Sequence, residues 1–317
     1  MVERNIALIG FGRIGERHLE SLLTLDDSYK IQVYDKFLNS PVNNIKAEFV
    51  KDIDDLNDSI DVCIVATKSN VRKQVVEDLL EKKTVKFLIL EKVAFQSIDD
   101  FMEVISLVDS KQITCYVNCP MRIQPIYKKV GDLLELKSPT KFTYEYSEAF
   151  KISSSFIHIL DLFCYLCGEY NIEINSHLTG FKDSVKHNGF VDFEGSLSVE
   201  TPDGHTLHLE KGSNKFTEVL RINNNEIDIY TREGGSENDI DDDRVGKVIF
   251  NNEDSYSIPF LWQSFLTAEY VKQVTNSQDC GLPLLKESFL IHRPMINCFN
   301  EFLSKSTKKK VTTCPIT

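Results

Sequence analysis

Three glycines near the start of the chain are spaced so that the backbone between them could bind a ligand. Gly10, Gly12 and Gly15 follow a short apolar run and precede a helical pattern. Such glycines allow a tight turn, let the backbone approach a pyrophosphate and let the helix pack closely on the strand. The helix N-terminus adds free N–H groups and a positive dipole end. We therefore predict that this segment binds a dinucleotide through Gly10, Phe11, Gly12, Arg13, Ile14 and Gly15. The alternative is an ordinary glycine-rich turn.

An acidic residue stands where such a site needs one. Asp35 ends the next apolar run, Lys30 to Tyr34, and lies twenty positions after Gly15. Its carboxylate can accept hydrogen bonds from a ribose diol and would repel a 2′-phosphate. The prediction is NAD as cofactor, with NADP as the alternative because Lys36 stands beside Asp35.

The elements around these residues alternate over the first 120 positions. Five apolar runs read as strands, separated by helical patterns: Ile6–Ile9, Ile31–Tyr34, Val62–Thr67, Phe87–Leu90 and Ile113–Val117. This alternation predicts a doubly wound parallel sheet, a Rossmann α/β domain over residues 1–120. Ligands bind such sheets at the carboxyl ends of the strands. The predicted site therefore extends to Thr67, Asn70, Glu91, Lys92 and Asn118.

The pattern changes after Pro120. Helical patterns at Met121–Leu136 and Ser153–Cys167 bracket one strand, and the Ser153–Ser155 cluster is predicted to cap the second helix. Turn signals at Pro202–Gly204 and Asn223–Asn225 then predict hairpins. Two helices, roughly Leu261–Thr275 and Leu284–Ser304, end the chain. We predict a second α+β domain over residues 121–317 with a large, mostly antiparallel open sheet.

The amino-acid composition argues against some classes of binding partner. The formal net charge is −12, which argues against a nucleic-acid surface or an anionic membrane surface. No apolar run reaches the ~20 residues of a transmembrane helix. The N-terminus enters a strand directly, and the eight scattered cysteines suit a reducing compartment, so a cytoplasmic location is expected. The acidic run Glu237–Asp243 lacks calcium-loop spacing, and no metal is predicted.

The order of these motifs resembles the Gfo/Idh/MocA family of oxidoreductases, which includes glucose–fructose oxidoreductase and inositol dehydrogenases. The segments that carry the resemblance run from the first strand to the last helix: Ile9–Gly15 with His18, Asp61–Thr67, Leu90–Lys92, Asn118 with Arg122 and Pro125, His158–Asp161, and Leu282–Glu287. The resemblance implies an NAD(P)-dependent dehydrogenase acting on a secondary alcohol or ketone of a sugar, polyol or nucleotide-sugar derivative. It also implies a homodimer or homotetramer through the second domain, roughly residues 173–250.

The chain departs from the family pattern at four positions. Val93 and Lys68 stand where prolines are usual, Arg72 where histidine is common, and Ser154 where an Asp often precedes the catalytic His by four residues. Two alternatives stay open, the first from the resemblance and the second from the departures at Ser154 and Val93. One is an NAD-dependent glycosidase of the same fold, and the other is a non-catalytic, cofactor-binding sensor or regulator.

Two residues are candidates for the proton transfer. Lys92 reads equally well from the residues alone as a catalytic amine or as part of a Glu91–Lys92 surface pair, and the resemblance favours catalysis. His158 shares one helical face with Ser154 and Asp161, and imidazole suits proton exchange near neutral pH. A histidine on an apolar helix is usually a core residue, so its catalytic role rests on the resemblance.

Five further residues are candidates for substrate contact: Asn118, Arg122, Tyr144, Ser154 and Asp161. Arg122 suits a substrate phosphate or carboxylate, and a structural salt bridge is an equal alternative. Tyr144 suits a sugar pocket or a packed core face, and Asp161 suits orientation of the histidine ring or anchoring of its helix.

Overall fold

The computed structural model describes residues 3–38, 46–133, 139–184, 188–213, 217–223, 225–230, 245–250, 254–277 and 279–317. The acidic run at 237–243 lies outside these ranges, so its predicted loop is not described. Within them the strands are β1 (Arg4–Ile9), β2 (Tyr29–Tyr34), β3 (Ala47–Val50), β4 (Ser59–Val65), β5 (Thr84–Glu91), β6 (Thr114–Asn118), β7 (Lys141–Tyr146), β8 (Glu173–Asp183), β9 (Val191–Glu200), β10 (Thr206–Lys211), β11 (Thr217–Ile222), β12 (Asn225–Tyr230), β13 (Val245–Phe250) and β14 (Asp254–Pro259). The helices are α1 (Arg13–Leu22), α2 (Ser69–Lys82), α3 (Ile98–Ser110), α4 (Pro125–Leu133), α5 (Ile152–Cys167), α6 (Gln263–Ser277) and α7 (Leu285–Thr307).

The chain divides into two compact units. The first comprises Met1–Cys119, Trp262–Phe289 and Thr317, and the second comprises Pro120–Leu261 and Leu290–Ile316. This grouping differs from the predicted domains mainly at Trp262–Phe289, which was assigned to the second domain, and also at the single residues Pro120 and Thr317. The reason is packing between helices distant in sequence: α6 lies against α1, and the amide of Ala268 donates to Ser21 Oγ at 2.8 Å.

The first unit confirms the predicted Rossmann sheet. Its six strands are all parallel, in the order β3-β2-β1-β4-β5-β6. The central strands are apolar and fully buried, as strands covered on both faces must be. The order reverses between β1 and β4, and ligands of such sheets bind outside the strand ends at that point.

The second unit contains an eight-stranded sheet in the order β14-β13-β12-β11-β7-β10-β9-β8. All neighbouring pairs are antiparallel except β10 and β7, which run parallel, so the sheet is mixed and mostly antiparallel. Helix α5 covers one face, where Phe163 meets Phe142 of β7 edge-on at 5.1 Å between ring centroids. Both predicted hairpins are present, as β9–β10 and β11–β12.

The predicted start of α5 needs correction. The helix begins at Ile152 with Lys151 as the N-cap, and the Ser153–Ser155 cluster lies inside its first turn. The side chain of Lys151 makes no capping hydrogen bond to the helix. Instead the backbone N–H of Ser153 donates to Asp192 Oδ1 at 3.0 Å, so a carboxylate from β9 satisfies the helix end.

No helix among the described residues is long and apolar enough to cross a membrane.

Candidate functional site

The glycine turn has the geometry that close approach requires. Gly10 has φ +97°, and a Cβ there would lie 2.8 Å from the Ala66 carbonyl carbon. A Cβ on Gly15 would lie 2.1 Å from the Gly10 carbonyl oxygen, so only glycine lets α1 start this close to β1. These two glycines are therefore demanded by the fold itself.

Gly12 differs from the other two glycines. Its φ is −80°, which any residue adopts, and a Cβ there would meet nothing within 4 Å. The fold thus leaves open space at the N-terminus of α1, where N–H groups of the first turn have no intrahelical acceptor. This is the cradle that a pyrophosphate would fill, and the residues present fit a dinucleotide.

Asp35 is tied to the turn from the end of β2. Its Oδ2 accepts from the backbone N–H of Phe11 at 2.6 Å, and its Oδ1 accepts from that of Phe37 at 2.8 Å. The side chain is half-buried. The carboxylate therefore holds the glycine turn as well as standing where a ribose would be expected.

The ends of β4, β5 and β6 bring Thr67, Lys92 and Asn118 to the same sheet edge. The hydroxyl of Thr67 and the Oδ1 atom of Asn118 are buried and have no hydrogen-bond partner among the residues that the structure describes. Buried polar atoms without partners are uncommon in native proteins and call for a ligand or water. They flank Lys92, because β5 lies between β4 and β6. Asn70, in the first turn of α2, is exposed at the same edge.

A buried polar cluster fixes Glu91, the residue before Lys92. Glu91 Oε1 accepts from His18 Nε2 at 3.0 Å and from Asn118 Nδ2. Asn118 Nδ2 also donates to Gln263 Oε1 at 2.9 Å, and His18 Nδ1 lies 2.9 Å from the Thr267 hydroxyl. Burial alone would raise the pKa of Glu91, but the contacts from His18 and Asn118 lower it to about 2. Glu91 is therefore an anion held in one place.

Lys92 follows this anion and is half-buried. Burial lowers the pKa of its ammonium, the nearby Glu91 and Cys119 raise it, and Arg72 lowers it, with a net downward shift. The peptide bond between Lys92 and Val93 is cis. An amine with a lowered pKa at the carboxyl edge of a nucleotide-binding sheet can hydrogen-bond to a reacting oxygen and exchange a proton with it.

The other candidates lie in the second unit. Ser154 and His158 are half-buried on α5, and Asp161 on the same helix is fully buried. Asp161 binds Arg122 in a bidentate pair, with Nε to Oδ2 at 2.8 Å and Nη2 to Oδ1 at 2.5 Å. The Arg122 guanidinium also lies over the Tyr165 ring at 4.8 Å. For these two residues the structure favours the structural salt bridge and the anchoring of α5 over substrate contact.

Tyr144 belongs to the packed side of β7. It is 1% exposed, and its hydroxyl donates to Glu218 Oε2 at 2.6 Å. Ser147 Oγ donates to the other oxygen of Glu218 at 3.1 Å. Of the two alternatives for Tyr144, the structure favours the core face.

Sequence reasoning missed several residues that shape these sites. Thr267 and Gln263 come from α6, more than 140 positions from their partners, so no local signal revealed them. Glu218 likewise meets Tyr144 only through strand pairing. His18 was noted for its place in the opening motif, and its role as a buried partner of Glu91 was not predicted.

Comparisons with known proteins agree with this architecture. Residues 4–119 match the model of the GFO_IDH_MocA oxidoreductase family, described as an NAD-binding Rossmann fold. No curated protein sequence matches the chain significantly.

Solved structures are similar over nearly the whole chain. An oxidoreductase from Agrobacterium radiobacter in complex with NAD+, L-tartaric acid and magnesium is 14% identical, with TM-score 0.68 and coverage of 98% of each chain. A super-repressor mutant of Gal80p from Saccharomyces cerevisiae is 13% identical, with TM-score 0.67 and coverage of 98% of each chain. The UDP-N-acetylglucosamine 3-dehydrogenase GnnA from Acidithiobacillus ferrooxidans is 11% identical, with TM-score 0.66, covering 93% of this chain and 96% of that one.

At these identities the structural likeness establishes the fold, and the family model establishes the nature of the first unit. The predicted resemblance to the Gfo/Idh/MocA oxidoreductases is therefore confirmed: residues 4–119 match the model of that family, which is described as an NAD-binding Rossmann fold.

Proposed function

We propose that the protein is an NAD-dependent oxidoreductase that moves a hydride between nicotinamide and a secondary alcohol or ketone. The observation that carries the proposal is Lys92, an amine with a lowered pKa at the same sheet edge as the glycine turn. Gly10 to Gly15 and Asp35 would hold the dinucleotide, with Thr67, Asn70 and Glu91 along the same edge. NAD, when bound, supplies the hydride acceptor or donor.

The protein's part is to orient the reacting oxygen and to move one proton. Lys92 would hydrogen-bond to that oxygen and stabilise charge developing on it, while Glu91 fixes the lysine's starting position. Asn118 Oδ1 and the Thr67 hydroxyl offer two further polar contacts beside Lys92. His158 of the second unit is the proposed partner in proton exchange, with Ser154 in place of the carboxylate usual in resembling proteins.

We further propose a carbohydrate-type substrate: a sugar, a polyol or a nucleotide-sugar derivative. One structural neighbour is named as a UDP-N-acetylglucosamine 3-dehydrogenase, and another was solved with tartaric acid, a small polyhydroxy acid. The experiment is a screen of sugars, sugar acids, polyols and nucleotide sugars for a change in absorbance of the reduced cofactor.

Variants make the screen a test of mechanism. Lys92→Ala and His158→Ala should each cost ~10²–10⁴-fold in turnover, the usual contribution of a proton-transfer group, with NAD affinity nearly unchanged. Ser154→Ala is the matched control on the same helix face and should cost much less than His158→Ala. Full turnover in Lys92→Ala on a confirmed substrate would refute the assignment.

A cofactor-binding regulator is the second candidate. Gal80p, of which a super-repressor mutant has been solved, shares the fold. In this chain Ser154 stands where resembling enzymes often carry a carboxylate. Tight binding of NAD without turnover of any compound in the screen would favour this candidate.

A further inference from the structure

Arg72 is the largest cation in the interior of the first unit. It lies in the first turn of α2 and is 1% exposed, and in the described part of the chain it makes no hydrogen bond to a carboxylate. An arginine removed from water normally pairs with an acidic group, because an unpaired buried charge is costly. Its position therefore needs an explanation.

The guanidinium binds backbone carbonyls instead. Nη1 lies 2.5 Å from the carbonyl oxygens of Glu91 and Val93 and 2.9 Å from that of Ala94. Nη2 donates to the carbonyl oxygen of Thr67. Three of these four carbonyls bracket Lys92 on both sides, and the fourth belongs to the loop that follows β4. One planar cation thus ties the ends of β4 and β5 together around the lysine.

The charge also acts on Lys92. The ionisable groups that act on its ammonium are Glu91 at the end of β5, Cys119 after β6 and Arg72 on α2. Glu91 favours the charged amine, whereas Arg72 favours the neutral one, because like charges repel. Burial lowers the pKa of Arg72 and the Glu91 carboxylate raises it, which leaves it at about 10, so the guanidinium stays charged near neutral pH.

We propose that Arg72 is the positioning residue of Lys92: its guanidinium fixes the turn that carries the lysine and places a second positive charge beside its amine. The proposal rests on the proposed function, because it gives Lys92 a reason to be held and tuned. It also explains why a buried arginine stands at a position where resembling proteins commonly have histidine.

The test measures the titration of the Lys92 amine directly and needs no substrate. The full-length protein is labelled with trace acetic anhydride between pH 7 and 11, and mass spectrometry follows each lysine peptide. In the wild-type protein Lys92 should titrate below the exposed Lys309. In Arg72→Gln the Lys92 midpoint should rise, because one positive charge is removed, and the labelling of Lys92 at pH 8 should fall relative to the wild-type protein. Arg72→Lys keeps the charge and should leave the midpoint near the wild-type value.

The matched control is Lys83→Met. Lys83 is also buried, stands at the other end of α2, and donates to the carbonyls of Asp54 and Leu56. Its loss should destabilise the unit without moving the Lys92 midpoint. Arg72→His provides a second neutral variant above pH 8, should Arg72→Gln fail to fold.

The proposal is overturned if the Lys92 midpoint is unchanged in the folded neutral variants, or if it lies at or above that of Lys309 in the wild-type protein. These outcomes are independent of turnover. Absence of turnover with a shifted midpoint would count against the proposed function alone, whereas turnover with an unshifted midpoint would count against the role of Arg72 alone.

Discussion

At the scale of residues, the Asp35 carboxylate has two roles, and each predicts a different effect of replacing it. Its oxygens accept from the amides of Phe11 and Phe37, so the carboxylate organises the glycine turn before any ribose arrives. Its negative charge would also repel a 2′-phosphate. We expect NAD(H) to bind more tightly than NADP(H) in the wild-type protein.

Asp35→Asn separates these tasks. The amide keeps one acceptor oxygen but loses the charge, so NAD affinity should fall by about 1 kcal/mol while the preference over NADP shrinks. Titrations of both cofactors measure the two effects. Clearly tighter NADP(H) binding by the wild-type protein would contradict the assignment, with Lys36 as the residue to examine next.

The lowered pKa of Glu91 predicts that the protein loses stability as the pH falls. Its folded-state pKa of about 2 lies below the ordinary 4.5, so its contribution to stability is complete above pH 4.5 and is lost as the pH falls towards 2. The stability difference between the wild-type protein and Glu91→Gln should therefore shrink by about 2 kcal/mol between pH 6 and pH 3. Urea unfolding at both pH values measures it.

The control for that experiment is Glu301→Gln. Glu301 is exposed on α7 and pairs with Lys305 four residues on, a surface contact of little energetic weight. Its variant should follow the wild-type protein at both pH values. A constant difference between Glu91→Gln and the wild-type protein would mean that the cluster around His18 does not hold Glu91 as an anion.

At the scale of elements, the glycine turn shows two kinds of constraint within six residues. Gly15 is required by the approach of α1 to β1, whereas Gly12 leaves room that only a ligand would use. Gly15→Ala should destabilise the protein by about 1–3 kcal/mol, because its Cβ would overlap the Gly10 backbone. Gly12→Ala should change stability by less than about 0.5 kcal/mol but lower NAD affinity at least tenfold.

Thermal unfolding and NAD titration of the two variants form one experiment. The pair is internally controlled, because both changes add one methyl group to the same turn. If Gly12→Ala bound NAD as well as the wild-type protein does, the pyrophosphate could not lie against this turn.

The elements that the sequence predicted are those whose signals are local. The β1-α1-β2 unit follows from apolar runs, glycine spacing and Asp35, and both hairpins follow from their turn residues. Strand β3 was missed because Ala47–Val50 is only four residues long and contains Glu48. The start of α5 was misplaced because serines are common caps, whereas here Asp192, brought close by β9, satisfies the helix end.

The candidate site divides in the same way. Gly10, Asp35 and Lys92 were found because each stands directly after a strand, which places it at the ligand edge of a parallel sheet. The cluster that fixes Glu91 was not found, because it joins His18 to Thr267 across 249 positions. Arg122 and Asp161 were named as candidates, and their bidentate contact could not be predicted because they lie 39 positions apart.

At the scale of the whole molecule, both units are built from segments that are distant in the sequence. The segment Trp262–Phe289 returns to the first unit after the second sheet is complete, and its Gln263 and Thr267 join the cluster around Glu91. Truncation before Trp262 should therefore damage the Rossmann unit as well, even though residues 4–119 alone match the family model. Expression of residues 1–261 tests this, and a cooperative unfolding transition of the Rossmann unit with normal NAD affinity would contradict it.

The sheet of the second unit predicts self-association. Helix α5 packs on one face, whereas the other face presents half-exposed polar residues, among them Arg221 in contact with Glu145 and Glu226. At one end of the sheet β8 pairs with β9 alone among the described strands, and its side chains are exposed or half-buried along its whole length. Strands left open in this way are commonly covered by another chain, so we expect a dimer or tetramer through this sheet.

Charge reversal on the sheet face opposite α5 tests that expectation. Arg221→Glu would place three carboxylates together on neighbouring strands and should shift the protein towards monomer, since like charges across an interface are strongly unfavourable. Lys305→Glu, on the exposed side of α7, reverses one charge in the same unit and should leave the assembly unchanged. Light scattering at several concentrations gives the mass of each form. A wild-type protein that remains monomeric at working concentration would contradict the prediction. The half-exposed ion pairs of Arg221 would then be enough to keep this sheet face stable in water.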